Sequence, residues 1–507
     1  MSDPTANLQN ADAVVASVRN LLVQAQQAYA NTESAPRVTQ LAERFEEPLR
    51  VAIAGKVKAG KSTLLNGLVG QELAPTDAGE CTKIITWYLD GLTYRATLHP
   101  RGRGPVETPI TRADHSVDVD LGGWNAADIE RITIEWPSSA LAELTLIDTP
   151  GIASVSTDIS NRTVEFMTAT DDHDSQADAV IYLMRHFHPS DSRFLESFHD
   201  DEAAKPNPIN AIGVLSRADE LGDGGRHAMD DARRIAHRYR KDPKIRRLCQ
   251  TIVPVSGLLA QAGAVLRQAD FNALQKLASL PAHELRLLCA SADRFVDGDV
   301  IAQVSAEDRS ALLGLLGLHG VRLSTDLIAT GAATTAPALA TRLVQESGLH
   351  ELRALLTAQF ADRRDILKAR STIQALEHLV RTAPPPDGGA TLEHELERIR
   401  AGAHVFEQLQ LFAAFRAGSV VFKESDHDEV ERLLGAQGFG AAARLGLDPH
   451  ATHDQLRAAA IETLQRWQKR AASTLASREQ VQAASTLVRI VEGIYGALPP
   501  TGATSTF

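Results

Sequence analysis

Apolar and polar positions change rhythm twice along this chain. Residues 8–46 carry apolar residues at helical spacing with little glycine or proline. Val14, Val15, Val18, Leu21, Leu22 and Ala25 form one stripe, and Val38, Leu41 and Phe45 form a second. Such spacing marks the buried face of a helix. Short, nearly unbroken apolar runs then appear near 49–54, 84–90, 131–136, 143–148, 178–184, 209–215 and 251–255, separated by helical segments. Runs apolar on both faces predict strands of a mostly parallel, doubly wound sheet with helices on either side. Residues 91–140 hold turn signals, including Arg101-Gly102-Arg103-Gly104-Pro105, and predict an added hairpin region. After residue 262 the strand signal stops. Helical spacing returns over 263–381, with Leu349, Leu352, Leu356, Phe360 and Leu367 as one stripe. Pro384-Pro385-Pro386-Asp387-Gly388-Gly389 is a stiff break, and 390–495 is helical again, interrupted between Gly435 and Gly446. The expected organisation is therefore N-terminal helices over 1–48, an α/β domain over 49–262 and a helical neck or stalk over 263–382. A linker over 383–389, a second helical section over 390–495 and a flexible tail over 496–507 complete it. The first and last helices are expected to share one bundle, because each stripe is too large to leave in water.

The first strand runs into Gly55-Lys56-Val57-Lys58-Ala59-Gly60-Lys61-Ser62-Thr63, followed by the apolar run Leu64-Leu65-Asn66-Gly67-Leu68-Val69. G-x-x-x-x-G-K-[ST] between a strand and a helix is a phosphate-binding P-loop. Its glycines let the backbone wrap around phosphate oxygens, and its amides and the helix N-terminus face the anion. Gly55, Lys58, Ala59, Gly60, Lys61, Ser62 and Thr63 are the expected nucleotide contacts here. Lys61 would reach the β- and γ-phosphates, and Ser62 would ligate Mg2+.

Leu144-Thr145-Leu146-Ile147-Asp148-Thr149-Pro150-Gly151 is a strand ending in Asp-Thr-Pro-Gly. Asp148 is expected to hold Mg2+ through water, and the Gly151 amide to sense the γ-phosphate. A further apolar run enters Ser216-Arg217-Ala218-Asp219, which looks like the guanine-reading pattern [NT]-K-x-D. Asp219 would accept hydrogen bonds from guanine's ring N–H and amino group. Adenine lacks that donor pair and would leave the carboxylate unsatisfied. Arg217 keeps a flat cation able to lie over a base, and Ser216 keeps a hydroxyl. Val253-Pro254-Val255-Ser256-Gly257 resembles the last guanine-contacting strand and loop, with Ser256 as its contact. The expected ligands are thus GTP and Mg2+.

Between these motifs lies a polar loop, Pro75-Thr76-Asp77-Ala78-Gly79-Glu80-Cys81-Thr82-Lys83, followed by a strand run. It suits a first switch. Thr82 is the candidate contact for Mg2+ and the catalytic water, with Thr76 as the alternative. Ile152 follows Asp-Thr-Pro-Gly and cannot orient a water. Catalysis then needs another polar group. Lys58, with Lys61 and Thr82, makes the candidate catalytic set, because a fixed cation can offset charge developing on the phosphates. Lys56 is the alternative to Lys58.

With 507 residues, 44% of them hydrophobic and 23% charged, the chain has room for two or three globular domains. Cys81, Cys249 and Cys289 lie far apart without metal spacing. With no signal-peptide pattern, they point to a reducing, cytoplasmic setting. No apolar run reaches 18 residues, so no transmembrane helix is expected. A net charge of −12 argues against nucleic acid as a partner. The run Leu312-Leu313-Gly314-Leu315-Leu316-Gly317-Leu318 suits a helical core better than a bilayer surface. The basic positions from Arg233 to Arg247 suit a solvated helix face or anionic lipid.

Together the P-loop, the switch threonine, Asp-Thr-Pro-Gly and the guanine motif, with helices before and after, resemble bacterial dynamin-like proteins. The stretches 74–87, 216–219, 253–260 and 441–449 are similar to the actinobacterial isoniazid-inducible members of that family. The resemblance implies an α/β P-loop GTPase domain plus an all-α bundle, the neck or stalk, formed by N- and C-terminal segments. It implies a large GTPase of low nucleotide affinity that self-associates through the GTPase domain or the bundle. It also implies remodelling of an anionic membrane surface, peripherally, at the inner face of the cell membrane. Val57 and Lys58 stand where a Gln-Ser pair is usual in eukaryotic dynamins. Ile152 and the short segment after residue 262 favour a second reading: a GTP-dependent scaffold, or partner of a second dynamin-like protein, with weak hydrolysis of its own. A soluble GTPase of ribosome assembly would need an RNA module, and the sequence shows none.

Overall fold

The computed structural model describes residues 5–74, 84–113, 116–151, 176–197, 210–222, 224–225, 227–298, 304–361, 363–402, 404–416 and 418–498. The described residues fall into two compact units. One is drawn from Arg50–His199 and Ala211–Ala354, the other from Met1–Leu49 and Leu355–Phe507.

The first unit is built on a nine-stranded sheet. Its strands are β1 (Leu49–Gly55), β2 (Ile85–Asp90), β3 (Arg95–Pro100), β4 (Val106–Thr108), β7 (Ile129–Trp136), β8 (Leu144–Asp148), β9 (Ala179–Met184), β10 (Ala211–Ser216) and β11 (Ile252–Val255). The spatial order is β11-β10-β9-β1-β8-β2-β7-β3-β4. β1, β9, β10 and β11 pair in parallel, as do β2 and β7. β2 against β8, and β3 against both β7 and β4, are antiparallel. Every residue of β1, β9, β10 and β11 is buried, which is why those segments read as unbroken apolar runs. β3 and much of β7 instead alternate buried with more exposed positions, the mark of a half-covered sheet. The hairpin region expected over 91–140 thus mostly extends the main sheet. Only β5 (Ile110–Ala113) and β6 (Ser116–Val119) form a separate two-stranded ribbon. The chain leaves β1 where the strand order reverses between β9 and β8, the place where doubly wound sheets bind ligands.

This unit runs on to Ala354, past the boundary expected at residue 262. Periodicity identifies a helix's apolar face but not the surface that covers it. Here Leu259, Phe271, Leu274, Leu288, Phe295, Leu316 and Leu339 close one core. Ser256 N–H donates to Ser347 O at 2.9 Å, and Arg353 caps Gly67 O and Leu68 O at 2.9 and 3.0 Å. Gly348, at φ 80°, lies so close to Pro254 that an added Cβ would fall 2.1 Å from its carbonyl oxygen. The helix Ala306–Ala329 is long and apolar enough to span a bilayer by length and composition. However, Gly317 (φ 64°, ψ 173°) breaks it. Leu312 and Leu316 are buried, and Leu313, Leu315 and Leu318 pack on the same core. The leucine run is core rather than a bilayer anchor.

The second unit is helical. The helix Thr5–Ala28 packs against Arg364–Thr382, Gly389–Gly402 and Arg478–Ala497, so the first and last helices share one bundle. Val18, Leu21, Ala25 and Tyr29 are buried there, and Tyr29 donates from its hydroxyl to Ala383 O at 2.9 Å. A π-turn over Thr357–Ala361 precedes the buried Arg363, which donates to Leu434 O and Gly435 O and lies over the Phe439 ring. The helical hairpin His453–Ala471 and Arg478–Ala497 is delimited by capping boxes at Thr452 and Ser477. Its last helix continues to Ala497 with Leu498 after it, and residues 499–507 of the expected tail lie outside the described residues.

Candidate nucleotide site

The P-loop conformation is dictated by close approaches. Gly55 sits at φ 151°, and a Cβ there would fall 2.6 Å from Leu183 O on β9. Lys58 adopts a left-handed conformation, φ 62°, one of two such non-glycine residues among those described. Gly60 (φ 92°) precedes the helix Lys61–Val69. The Lys61 ammonium folds back onto the loop, donating to Gly55 O and Lys56 O at 3.3 Å each.

The end of β8 meets this loop. Ser62 donates from its hydroxyl to Asp148 Oδ2 at 3.0 Å, while Asp148 Oδ1 is buried without a hydrogen-bond partner. Burial pushes the Asp148 carboxyl above the usual range, against the pull of the Lys61 charge, the Ser62 hydroxyl and the Thr149 amide. Burial likewise pushes the Lys61 ammonium down, with Asp148 opposing. A hydroxyl and a carboxylate that keeps an unpartnered buried oxygen are the donor types a small hard cation takes, so Ser62 and Asp148 fit Mg2+. Thr149 donates from Oγ1 to Ile53 O at 2.9 Å, seating Asp-Thr-Pro-Gly on β1. Gly151 then lies directly on the P-loop. A Cβ there would fall 2.6 Å from Val57 Cγ2 and 2.8 Å from Val57 Cα.

The far end of the site is assembled by β10 and β11. Ser216 ends β10, and its buried hydroxyl oxygen has no hydrogen-bond partner. Arg217 (φ 52°) turns the chain and pairs with Glu220 at 2.6 Å. Asp219 is buried on the next turn. Burial raises its carboxyl, and the Ser256 hydroxyl, donating to it, acts in the opposite direction. Ser256 also caps the helix Gly257–Val265 by accepting from Leu259 N–H at 3.3 Å. One cavity of about 120 Å³ joins the two ends, lined by Ala59, Gly60 and Thr63 on one side and by Ser216, Asp219 and Gly257 on the other.

Thr82, Thr76, Cys81 and Ile152 lie outside the described residues. Lys56, the alternative to Lys58, is held at 3.1 Å by Asp191, a buried carboxylate that also accepts from the Tyr182 hydroxyl and the His188 amide at 2.8 Å each. Lys58 is exposed, and no ion pair involves it among the described residues. Asp191 was missed in the sequence. Its one signal there is an acidic residue in the first turn of a helix opened by Pro189. Much of the basic run is paired internally: Arg233 with Asp230 at 2.9 Å, Arg234 with Asp231, and Arg240 with Glu351 at 3.4 Å.

A P-loop opening a helix at the switch point of a mostly parallel sheet, together with a large helical part, defines a P-loop GTPase of the dynamin-like class. Residues 50–212 match a family model described as a 50S ribosome-binding GTPase. The chain is 37% identical over 458 residues to the isoniazid-induced protein IniC of Mycobacterium tuberculosis, a match covering 90% of this chain and 92% of that protein. A bacterial dynamin-like protein of Nostoc punctiforme is 24% identical over 163 residues, 29% of this chain and 22% of that one. Among solved structures, one of an oligomerised bacterial dynamin pair aligns over 96% of this chain and 80% of its own, at 14% identity and a TM-score of 0.33. The chain belongs to the bacterial dynamin-like GTPases, in the group that includes IniC.

Proposed function

We propose that this GTPase uses Mg2+, reads guanine through Asp219, and couples hydrolysis to self-association on an anionic membrane surface at the cytoplasmic face. The observation that carries the nucleotide part is the single cavity running from Gly60 and Thr63 to Ser216 and Asp219. In this reading the ammonium of Lys61 exchanges its bonds to Gly55 O and Lys56 O for phosphate oxygens. The amides of the loop from Lys58 to Thr63 complete the phosphate cradle. Ser62 and Asp148, with Thr82, would hold Mg2+, which supplies positive charge to the phosphates when bound. Gly151 carries the amide facing the γ-phosphate, and Ser216, Arg217 and Ser256 frame the base. Lys58 is the catalytic cation, because Lys56 is engaged by Asp191.

The membrane part rests on a different surface from the leucine run. Leu475 is 98% exposed in the turn of the helical hairpin, and Val421 is 59% exposed. Gln480 donates to Val421 O at 2.6 Å, so both residues lie at the same end of that hairpin. Lys423, Lys469 and Arg478 are exposed at this end. Exposed apolar side chains with cations beside them support an anionic lipid surface, although Glu424 and Glu479 are exposed at the same end.

Phosphate release with GTP and with ATP, each with and without anionic liposomes, tests the reading. The expected result is GTP-selective turnover that rises on liposomes. Turnover indifferent to lipid would leave the scaffold reading, with a second dynamin-like chain as partner. ATP turnover would overturn the role given to Asp219.

A further inference from the structure

We propose that the second half of the broken helix Ala306–Ala329 clamps the guanine-reading loop, with His319 and Arg322 as positioning residues that hold Asp219 for the base. The proposal rests on the reading of Asp219 as the guanine acceptor.

The segment after Asp219 is held in part by its own turn, Gly225 N–H donating to Gly222 O at 3.1 Å. Gly222 and Gly224 both take left-handed conformations, φ 59° and 64°, and glycines there contribute no side chain to packing. Two side chains of the helix add to that turn. His319 donates from Nδ1 to Gly225 O at 2.8 Å. Arg322 donates from Nη1 to Gly224 O at 2.5 Å, and from Nε to Cys289 O at 3.2 Å. Its guanidinium therefore ties the loop to the end of the helix Ala282–Leu288. Positions 319 and 322 are three apart and share one helix face. Both side chains are sheltered, and His319 is 4% exposed.

The break at Gly317 makes this contact possible. At φ 64° and ψ 173° the helix restarts beside the site, and a Cβ on Gly317 would stand 3.6 Å from Asp219 Oδ2 and 3.2 Å from Leu258 Cδ1. Leu258 lines the nucleotide cavity. The broken helix thus stands behind Asp219 and Leu258, two residues that line the cavity. A carboxylate that must accept two hydrogen bonds from one ring edge needs a fixed orientation, and a loop already ordered binds more tightly than one ordered on binding. The clamp touches neither the P-loop nor Asp148, so it acts on affinity for the base and not on the chemical step.

The test uses the full chain and measures GDP affinity by fluorescent-nucleotide titration, together with kcat and KM for GTP. His319→Leu should weaken GDP binding about fivefold, the worth of one neutral hydrogen bond. Arg322→Gln should weaken it about tenfold, as a charge-assisted pair is stronger. Both should raise KM in parallel and leave kcat within about twofold of wild type. His319→Asn, whose amide N–H can stand where Nδ1–H does, should recover most of the loss. Asp219→Asn separates the two readings, since it should shift preference from guanine to xanthine nucleotides, whose ring carbonyl accepts from the new amide. An unshifted preference would refute Asp219 as the base reader. A shifted preference, with His319→Leu and Arg322→Gln binding GDP as wild type or losing kcat and affinity alike, would refute the clamp alone. Should the variants fail to fold, the wild-type protein decides. Linkage requires GDP to slow amide hydrogen exchange across residues 318–325, and unchanged exchange there overturns the clamp.

Discussion

Replacing Gly151 with alanine tests the packing of the Asp-Thr-Pro-Gly turn on the P-loop. The new Cβ would meet Val57 Cγ2 at 2.6 Å, Val57 Cα at 2.8 Å and Val57 N at 2.9 Å. A rotamer change can move only the first of these atoms. The other two belong to the P-loop backbone, so either the loop or the Asp-Thr-Pro-Gly turn must shift by several tenths of an ångström. Overpacking of this kind costs about 1–3 kcal/mol. If that cost falls on the GTP-bound state, where the proposed reading sets the Gly151 amide and the loop on the same phosphate, affinity drops about 5- to 150-fold. GDP has no γ-phosphate and should lose much less. The assay is titration of both fluorescent nucleotides against wild type, Gly151→Ala and the double variant Gly151→Ala with Val57→Gly, which removes one clash and frees the backbone. The double variant should recover part of the GTP affinity. Equal losses for GTP and GDP, or GTP binding within about twofold of wild type, would refute the reasoning.

Lys58→Ala should lower kcat at least about tenfold, with a smaller change in GTP affinity, because an exposed cation on the loop acts on developing charge. Unchanged turnover in a single-turnover assay would remove Lys58 from the mechanism. Asp148 gives a pH dependence. Its carboxyl is raised in the folded protein, so folding favours its protonated form, and the penalty for the buried charge appears as pH rises through that raised value. In the proposed reading Mg2+ would take the place of that proton. The gain in Tm on adding Mg2+ should therefore be largest at neutral pH and shrink in acid, and a pH-independent gain in thermal melts would contradict this. In the bundle, Leu21 is 1% exposed, so Leu21→Ala should cost about 2–5 kcal/mol in urea unfolding. A loss below about 1 kcal/mol would show that the first helix is not part of the core.

The chain's own pattern determined the elements and the chemistry. The apolar runs predicted every central strand of the sheet, because a strand covered on both faces must be apolar throughout. The stripe from Val14 to Ala25 predicted a helix that is indeed buried. Gly55 to Thr63 announced the tight loop between β1 and the helix after it, because that spacing of glycines, lysine and hydroxyl is the P-loop pattern. Local rules of backbone and side chain suffice for such features. Tertiary structure alone decided which surfaces meet. Helical spacing is the same whether a helix covers a sheet or joins a bundle, so the place where the sheet-bearing unit ends, at Ala354, could not be read from it. Asp191, 135 positions beyond Lys56 by residue number, reached the P-loop only through the parallel pairing of β1 with β9. Gly317 read as one small residue in a leucine run, and only the folded chain sets its backbone against Asp219. Contacts between residues distant in sequence follow from how whole elements pack, and no local pattern records them.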